Sequence, residues 1–154
     1  MNIAFPPPER LIDHRSVMSF VDGIESCDEA LARCRATIRA DNPFLVDGRL
    51  PNWVLIEYIA QSVAMFAGYR RSIEGAPHRH GLLLGCRSMT LADVVLEVGD
   101  RIETEVEEVV RLDDFGRFNG TARRDGEVLA QGALSVVETQ SWPDPAGAMP
   151  ASGG

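Results

Sequence analysis

The chain has 154 residues, 45% of them hydrophobic and 25% charged, which is enough for one domain with a real core. Its net charge is -8 and every one of its 15 basic residues is arginine, which argues against a general nucleic-acid binder, since that needs a positive field. The opening residues lack a basic start followed by an apolar run, so no secretory signal is expected. Cys27, Cys34 and Cys86 form no C-x-x-C pair and have no histidine at metal-ligand spacing. They are expected to be reduced structural thiols of a cytoplasmic protein.

In chain order, residues 1–10 are expected to form an N-terminal arm. A short turn or helix at Leu11 to Arg15 leads into a first strand near Val17 to Val21, closed by Asp22-Gly23. Leu31 to Arg39 alternates Cys34, Ala36 and Ile38 with Arg33, Arg35, Thr37 and Arg39, the period of a half-buried strand. A turn-rich stretch delivers the chain to Pro51, suited to the first residue of a helix. From there to Ser72 the sequence is apolar on nearly every side, and such a helix must be buried on every side. Glu57, Gln61 and Ser62 interrupt the run, which argues against a membrane span.

After a polar loop with His78 and His80, both expected to be solvated, only strand-like sequence remains: Leu82 to Leu91, Arg101 to Arg111, and a hairpin of Phe115 to Arg124 with Val128 to Glu138 through Asp125-Gly126. Met18, Met65 and Met89 are expected to be core filler. Residues 140–154, rich in Pro, Gly, Ala and Ser, are expected to be a disordered tail, leaving 11–139 as the domain. The order strand, strand, helix, then about four strands in meander predicts an α+β fold with a curved antiparallel sheet of five to six strands around one long helix. One sheet leaves a flank of that helix open, so a second subunit is expected to cover it.

Glu57 is the unusual residue, a carboxyl inside an apolar helix with Gln61 four positions on along the same face. It is either one half of a satisfied polar pair or a catalytic carboxyl whose burial raises its pKa, ready to give a proton to a leaving group.

Asn42-Pro43-Phe44 followed by Pro51-Asn52-Trp53-Val54-Leu55-Ile56-Glu57-Tyr58-Ile59-Ala60-Gln61 resembles the central motif of the beta-hydroxyacyl-acyl-carrier-protein dehydratases, hotdog proteins in which a helix-opening proline precedes Glu-x-x-Ala-Gln. Asp13-His14-Arg15 with Met18 to Asp22, Val98-Gly99-Asp100 and Asp125 to Ala130 resemble other segments of that family. The similarity is closer to the dehydratase-like subfamily of aryl-polyene clusters, through His-Arg-x-x-Met, Asp-Asn-Pro-Phe and Pro-x-Trp. The chain departs from the standard family in one place: the loop before the helix, Leu45 to Leu50, contains no histidine.

The resemblance implies loss of water from 3-hydroxyacyl thioesters, with the substrate held on the phosphopantetheine of an acyl carrier protein and no metal or redox cofactor. His14 is then the candidate base and Glu57, from the other subunit, the acid. Backbone N–H groups near Asn52 and Trp53 polarise the carbonyl, with Gln61 also in the substrate site. His14 equally suits a local hydrogen bond, and Trp53 suits either an acyl tunnel wall or the core. Arg70, Arg71 and Arg79, or Arg10, Arg15, Arg87, Arg123 and Arg124, could offer a basic rim to the acidic carrier. A hotdog thioesterase and a non-catalytic partner subunit of an active dehydratase are the competing readings, and the dimer is either homodimer or heterodimer.

Overall fold

A computed structural model describes residues 4–140. The chain runs through α1 (Pro8–Leu11), β1 (Gly23–Cys27), β2 (Leu31–Thr37), β3 (Arg49–Leu50), α2 (Leu55–Glu74), β4 (His80–Leu91), β5 (Leu96–Glu97), β6 (Arg101–Leu112), β7 (Phe115–Arg124) and β8 (Glu127–Thr139). Six strands make one antiparallel sheet in the order β1-β2-β6-β7-β8-β4, and β3 pairs with β5 as a two-residue ladder. This is the expected hotdog architecture, a long helix lying in a curved sheet.

The alternation in β2 and β6 determines which face meets the helix. Ala32, Cys34 and Ala36 pair with Val106, Thr104 and Ile102, and all six are buried. Their outward neighbours are charged, as in the cross-strand pair Arg33 to Glu105 at 2.8 Å. From the helix, Leu55, Tyr58, Ile59, Val63 and Phe66 fill the space above them. The helix approaches β7 so closely that a Cβ at Gly120 would stand 2.3 Å from Ile59 Cγ2, which only glycine avoids. The polar atoms between the layers are paired: Ser62 Oγ lies 2.6 Å from Thr104 Oγ1 and donates to the Tyr58 carbonyl.

Several boundaries differ from the sequence reading. Val17 to Val21 is not a strand. Ser16–Met18 is a 3-10 turn with Val17 and Met18 exposed, and β1 starts at Gly23, where Asp22-Gly23 was expected to close a strand. Gln61 captures this segment's backbone, which replaces a strand ladder. Met18 is therefore not core, whereas Met65 is fully buried. Pro51 is extended and precedes a 3-10 turn, Asn52–Val54, that feeds α2. The helix ends at Gly75, whose φ of 67° is the left-handed conformation that terminates helices.

The strands after the helix are not one simple meander. The β6-β7-β8 run is, but β4 pairs with β8 at the far edge, because α2 crosses the sheet and releases the chain on the side opposite β2. The N-terminal arm is not loose where it is described: Phe5 packs edge-on against Tyr69 at 5.0 Å, and Leu11 and Ile12 are buried with Met65 in a second apolar cluster. The expected tail, from residue 141 on, lies outside the described residues. Among the described residues no helix is long and apolar enough to cross a membrane.

Sheet and N-terminal segment cover α2 on two sides. Its remaining flank, Glu57, Ala60, Ala64 and Ala67, is only half-buried, so burial on every side is not reached within one chain.

Candidate active site

His14 lies on the extended stretch between α1 and the 3-10 turn, and its neighbours fix the backbone on both sides. Leu11 and Ile12 are buried before it. Arg15 turns its guanidinium back onto the carbonyls of Glu9, Ile12 and His14. Asp13 receives His78 Nε2 on one carboxylate oxygen and meets His80 Nδ1 on the other, each at 2.8 Å. Burial pushes the Asp13 carboxyl up, but its contacts with His80 and His78 outweigh this and leave it below its ordinary value.

Glu57, in the first turn of α2, meets that stretch. Its Oε1 is 3.2 Å from His14 Nε2 and accepts a hydrogen bond from Gln61 Nε2 at 3.0 Å. Two expectations are corrected here. The imidazole and carboxyl come together within one chain, not across subunits. The Glu57 pKa is lowered, not raised: burial pushes it up, but the hydrogen bonds from His14 and Gln61 and the field of His14 outweigh that push. The ground-state group is a carboxylate.

Gln61 is fully buried and its amide is fully used. Its Oε1 accepts from Phe20 N–H at 2.8 Å, and its Nε2 donates to the Met18 carbonyl at 2.8 Å as well as to Glu57. It holds the segment after His14 against the helix and holds Glu57 itself, and it is not among the residues that line the cavity beside them.

His14 and Glu57 line a cavity of about 130 Å³ whose other walls are Ala60 and Ala64 of the half-buried flank, the buried Val63, Leu82 and Leu83 of β4, and Val136 of β8. A pair of polar side chains in contact over an apolar cavity is the usual make-up of a small-molecule site. Asn52 and Trp53 do not line it. Asn52 Nδ2 donates to the Ala92 carbonyl, and Trp53 is 52% exposed, edge-on to Phe44 at 5.6 Å. A larger groove of about 630 Å³ is walled by Phe66, Tyr69, Arg70 and Ile73 at the far end of the helix, away from this couple.

The thiols are unsuited to nucleophilic work. Burial pushes Cys34 up to about 12 and raises Cys27 and Cys86 as well. His78 and His80 are not simply solvated, since both engage Asp13. The spacing His78-x-His80 was the available signal for this cluster, but nothing in the sequence places Asp13 opposite it.

No curated protein matches the chain by sequence. Among solved structures it is similar to the dehydratase heterocomplex ApeI:P from Xenorhabdus doucetiae, at 25% identity and a TM-score of 0.83, covering 93% of this chain and 95% of that one. A mutant thioesterase from Pseudomonas aeruginosa (9% identity, TM-score 0.59, 79% and 82% covered) shares the fold alone. So does zebra fish thioesterase superfamily member 2 (16% identity, TM-score 0.58, 80% and 83% covered). The model of the ApeP-like family, described as ApeP dehydratase, matches residues 6–148. With that match spanning nearly all of the sequence, the chain belongs to the ApeP-like dehydratase family of hotdog proteins.

Proposed function

We propose that this protein removes water from 3-hydroxyacyl thioesters carried on an acyl carrier protein, giving trans-2-enoyl thioesters in fatty acyl or aryl-polyene-type synthesis. The observation that carries this reading is the contact between His14 and Glu57 at 3.2 Å over an apolar cavity. Elimination needs a base at the carbon beside the thioester carbonyl and an acid at the 3-hydroxyl, and the couple supplies both at one spot.

Because Glu57 is a carboxylate in the ground state, it takes the α-proton. His14 is then assigned the acid's part: it delivers a proton from Nε2 to the departing hydroxyl, which leaves as water. The C–H and C–O bonds break, the C=C bond forms, and the proton now on Glu57 returns to His14 across their direct contact. Gln61 acts as a positioning residue. Asn52 and Trp53 belong to the 3-10 turn that feeds α2 just ahead of Glu57, and although their side chains do not line the cavity, their backbone N–H groups are proposed to meet the thioester carbonyl.

The substrate arrives on phosphopantetheine, and no resident cofactor is part of the proposal. Arg70, Arg71 and Arg79 pair with Glu108, Glu138 and Asp114, Arg124 pairs with Asp100, and Arg15 is held by backbone carbonyls, so a basic rim for the carrier falls to Arg10, Arg87 and Arg123. A second hotdog subunit, as in ApeI:P, is proposed to cover the half-buried flank of α2 and the free edge of β4, where Leu83 and Leu84 are exposed.

A second reading has its own observation. The loop before the helix lacks histidine, which favours a non-catalytic partner of an active hotdog subunit. One experiment separates the two, along with the thioesterase alternative: the full chain, alone and with a second hotdog subunit, is given a 3-hydroxyacyl carrier protein and followed by mass spectrometry. Loss of one water, reduced about 10²–10⁴-fold in both His14→Ala and Glu57→Gln, supports the proposal. Release of free acid points to a thioesterase. Undiminished activity of the variant complexes assigns this chain a structural role.

A further inference from the structure

His78 and His80 flank Arg79 where the chain runs extended into β4, and residues two apart on an extended chain present their side chains on one face. Both rings turn to Asp13, one to each carboxylate oxygen, and stand edge to face with centroids 5.4 Å apart. One donor atom from each of the three residues falls within 4.8 Å of the others. The residues come from segments more than sixty positions apart, so the convergence is a product of the fold.

We infer that Asp13, His78 and His80 form a binding site for one divalent transition-metal ion of the zinc class, with three protein ligands and an open fourth position. The donor set selects this class. Two imidazoles and one carboxylate suit borderline ions, whereas calcium and magnesium take oxygen almost alone. The two His-to-Asp separations fit as well. Neighbouring donors around a tetrahedral zinc ion stand about 3.3 Å apart, so the 2.8 Å His-to-Asp separations open by about half an ångström as the ion replaces the shared protons.

The fourth position has room. Asp13 and His78 line a cavity of about 50 Å³, ample for one water, which shares His14, Ala64 and Gly81 with the cavity of the His14–Glu57 couple. Bound there, the ion clips the segment carrying His14 to the start of β4 and stands one residue from His14 without taking part in the elimination. A bare hydrogen-bonded clamp is the competing explanation.

Chelator-stripped full-length protein titrated with Zn²⁺ in a calorimeter, and with Co²⁺ in a visible spectrometer, tests the site. The expected result is one ion per chain, with the Kd raised about 100-fold or more in both Asp13→Asn and His78→Ala. The visible Co²⁺ bands disappear in the same two variants. Glu57→Gln, which removes the neighbouring carboxylate, binds Zn²⁺ like wild type, so this result is independent of the catalytic reading. His78 is an exposed loop residue, so its variant reports on binding in a folded chain, verified by circular dichroism. Absence of a 1:1 Zn²⁺ binding event overturns the inference, as does wild-type affinity in both ligand variants or an equal loss in Glu57→Gln.

Discussion

Replacing Gly68 by alanine tests how the tertiary structure aims His14. In an exposed helix interior this change stabilises by about 1 kcal/mol, because glycine carries the larger entropy cost. Here the added Cβ would stand 2.3 Å from the Leu11 carbonyl oxygen and 3.0 Å from its carbon, so the backbone of residue 11 must retreat by about 1 Å to reach ordinary contact. Leu11 and Ile12 are buried under that backbone, so the retreat also disturbs packing, at about 1–3 kcal/mol. The two terms oppose each other and the clash wins, for a net loss of up to about 2 kcal/mol, or a Tm lower by several degrees.

Function suffers more than stability does. His14 is three residues from the displaced carbonyl, and its 3.2 Å contact with Glu57 does not survive a shift of that size. A misplacement of about 1 Å costs a catalytic group about 10² in rate. The assays are calorimetric melting and water loss from a 3-hydroxyacyl carrier substrate. A Gly68→Ala protein that melts higher and dehydrates at the wild-type rate would refute the reasoning, since the helix would then approach the N-terminal segment without needing glycine.

Gln61→Leu keeps the side-chain volume but leaves the buried Phe20 N–H and the Met18 carbonyl unpaired. At about 1–3 kcal/mol for each orphaned group, a loss of about 2–6 kcal/mol is expected, read as a lower urea midpoint with unchanged m. A change under about 0.5 kcal/mol would show that these bonds are dispensable. The lowered pKa of Glu57 gives a pH test with a definite sign. Its ionisation stabilises the fold fully above the ordinary value of 4.5, and that contribution is lost as pH falls through the lower, folded-state pKa. Wild type should therefore lose stability relative to Glu57→Gln on acidification below about pH 5. Parallel melting curves from pH 7 to 3 would contradict the hydrogen-bonded carboxylate.

Local pattern alone made much of the chain legible. The alternation Ile102, Thr104, Val106 marked β6, the Asp125-Gly126 pair marked the β7–β8 hairpin, and the long, largely apolar run marked α2. Each signal lies within a few residues of sequence, where periodicity reports directly on which face is buried. The same pattern singled out Glu57 and Gln61, because a polar pair in an apolar helix is visible without knowing what surrounds it. The resemblance, not the pattern, brought in His14.

Tertiary structure decided the rest. Val17 to Val21 has the composition of a strand, yet Gln61 takes its backbone hydrogen bonds from forty residues away, and no local signal could show that. Whether Glu57 holds its proton depended on the balance between burial and its contacts with His14 and Gln61, and only the closeness of the His14 stretch turned that balance toward the carboxylate. His78 and His80 read as loop residues until folding brought Asp13 between them. Composition and spacing determine which surfaces a segment must bury; which distant group meets a given side chain, and so what charge it carries, is set by how the segments close on one another.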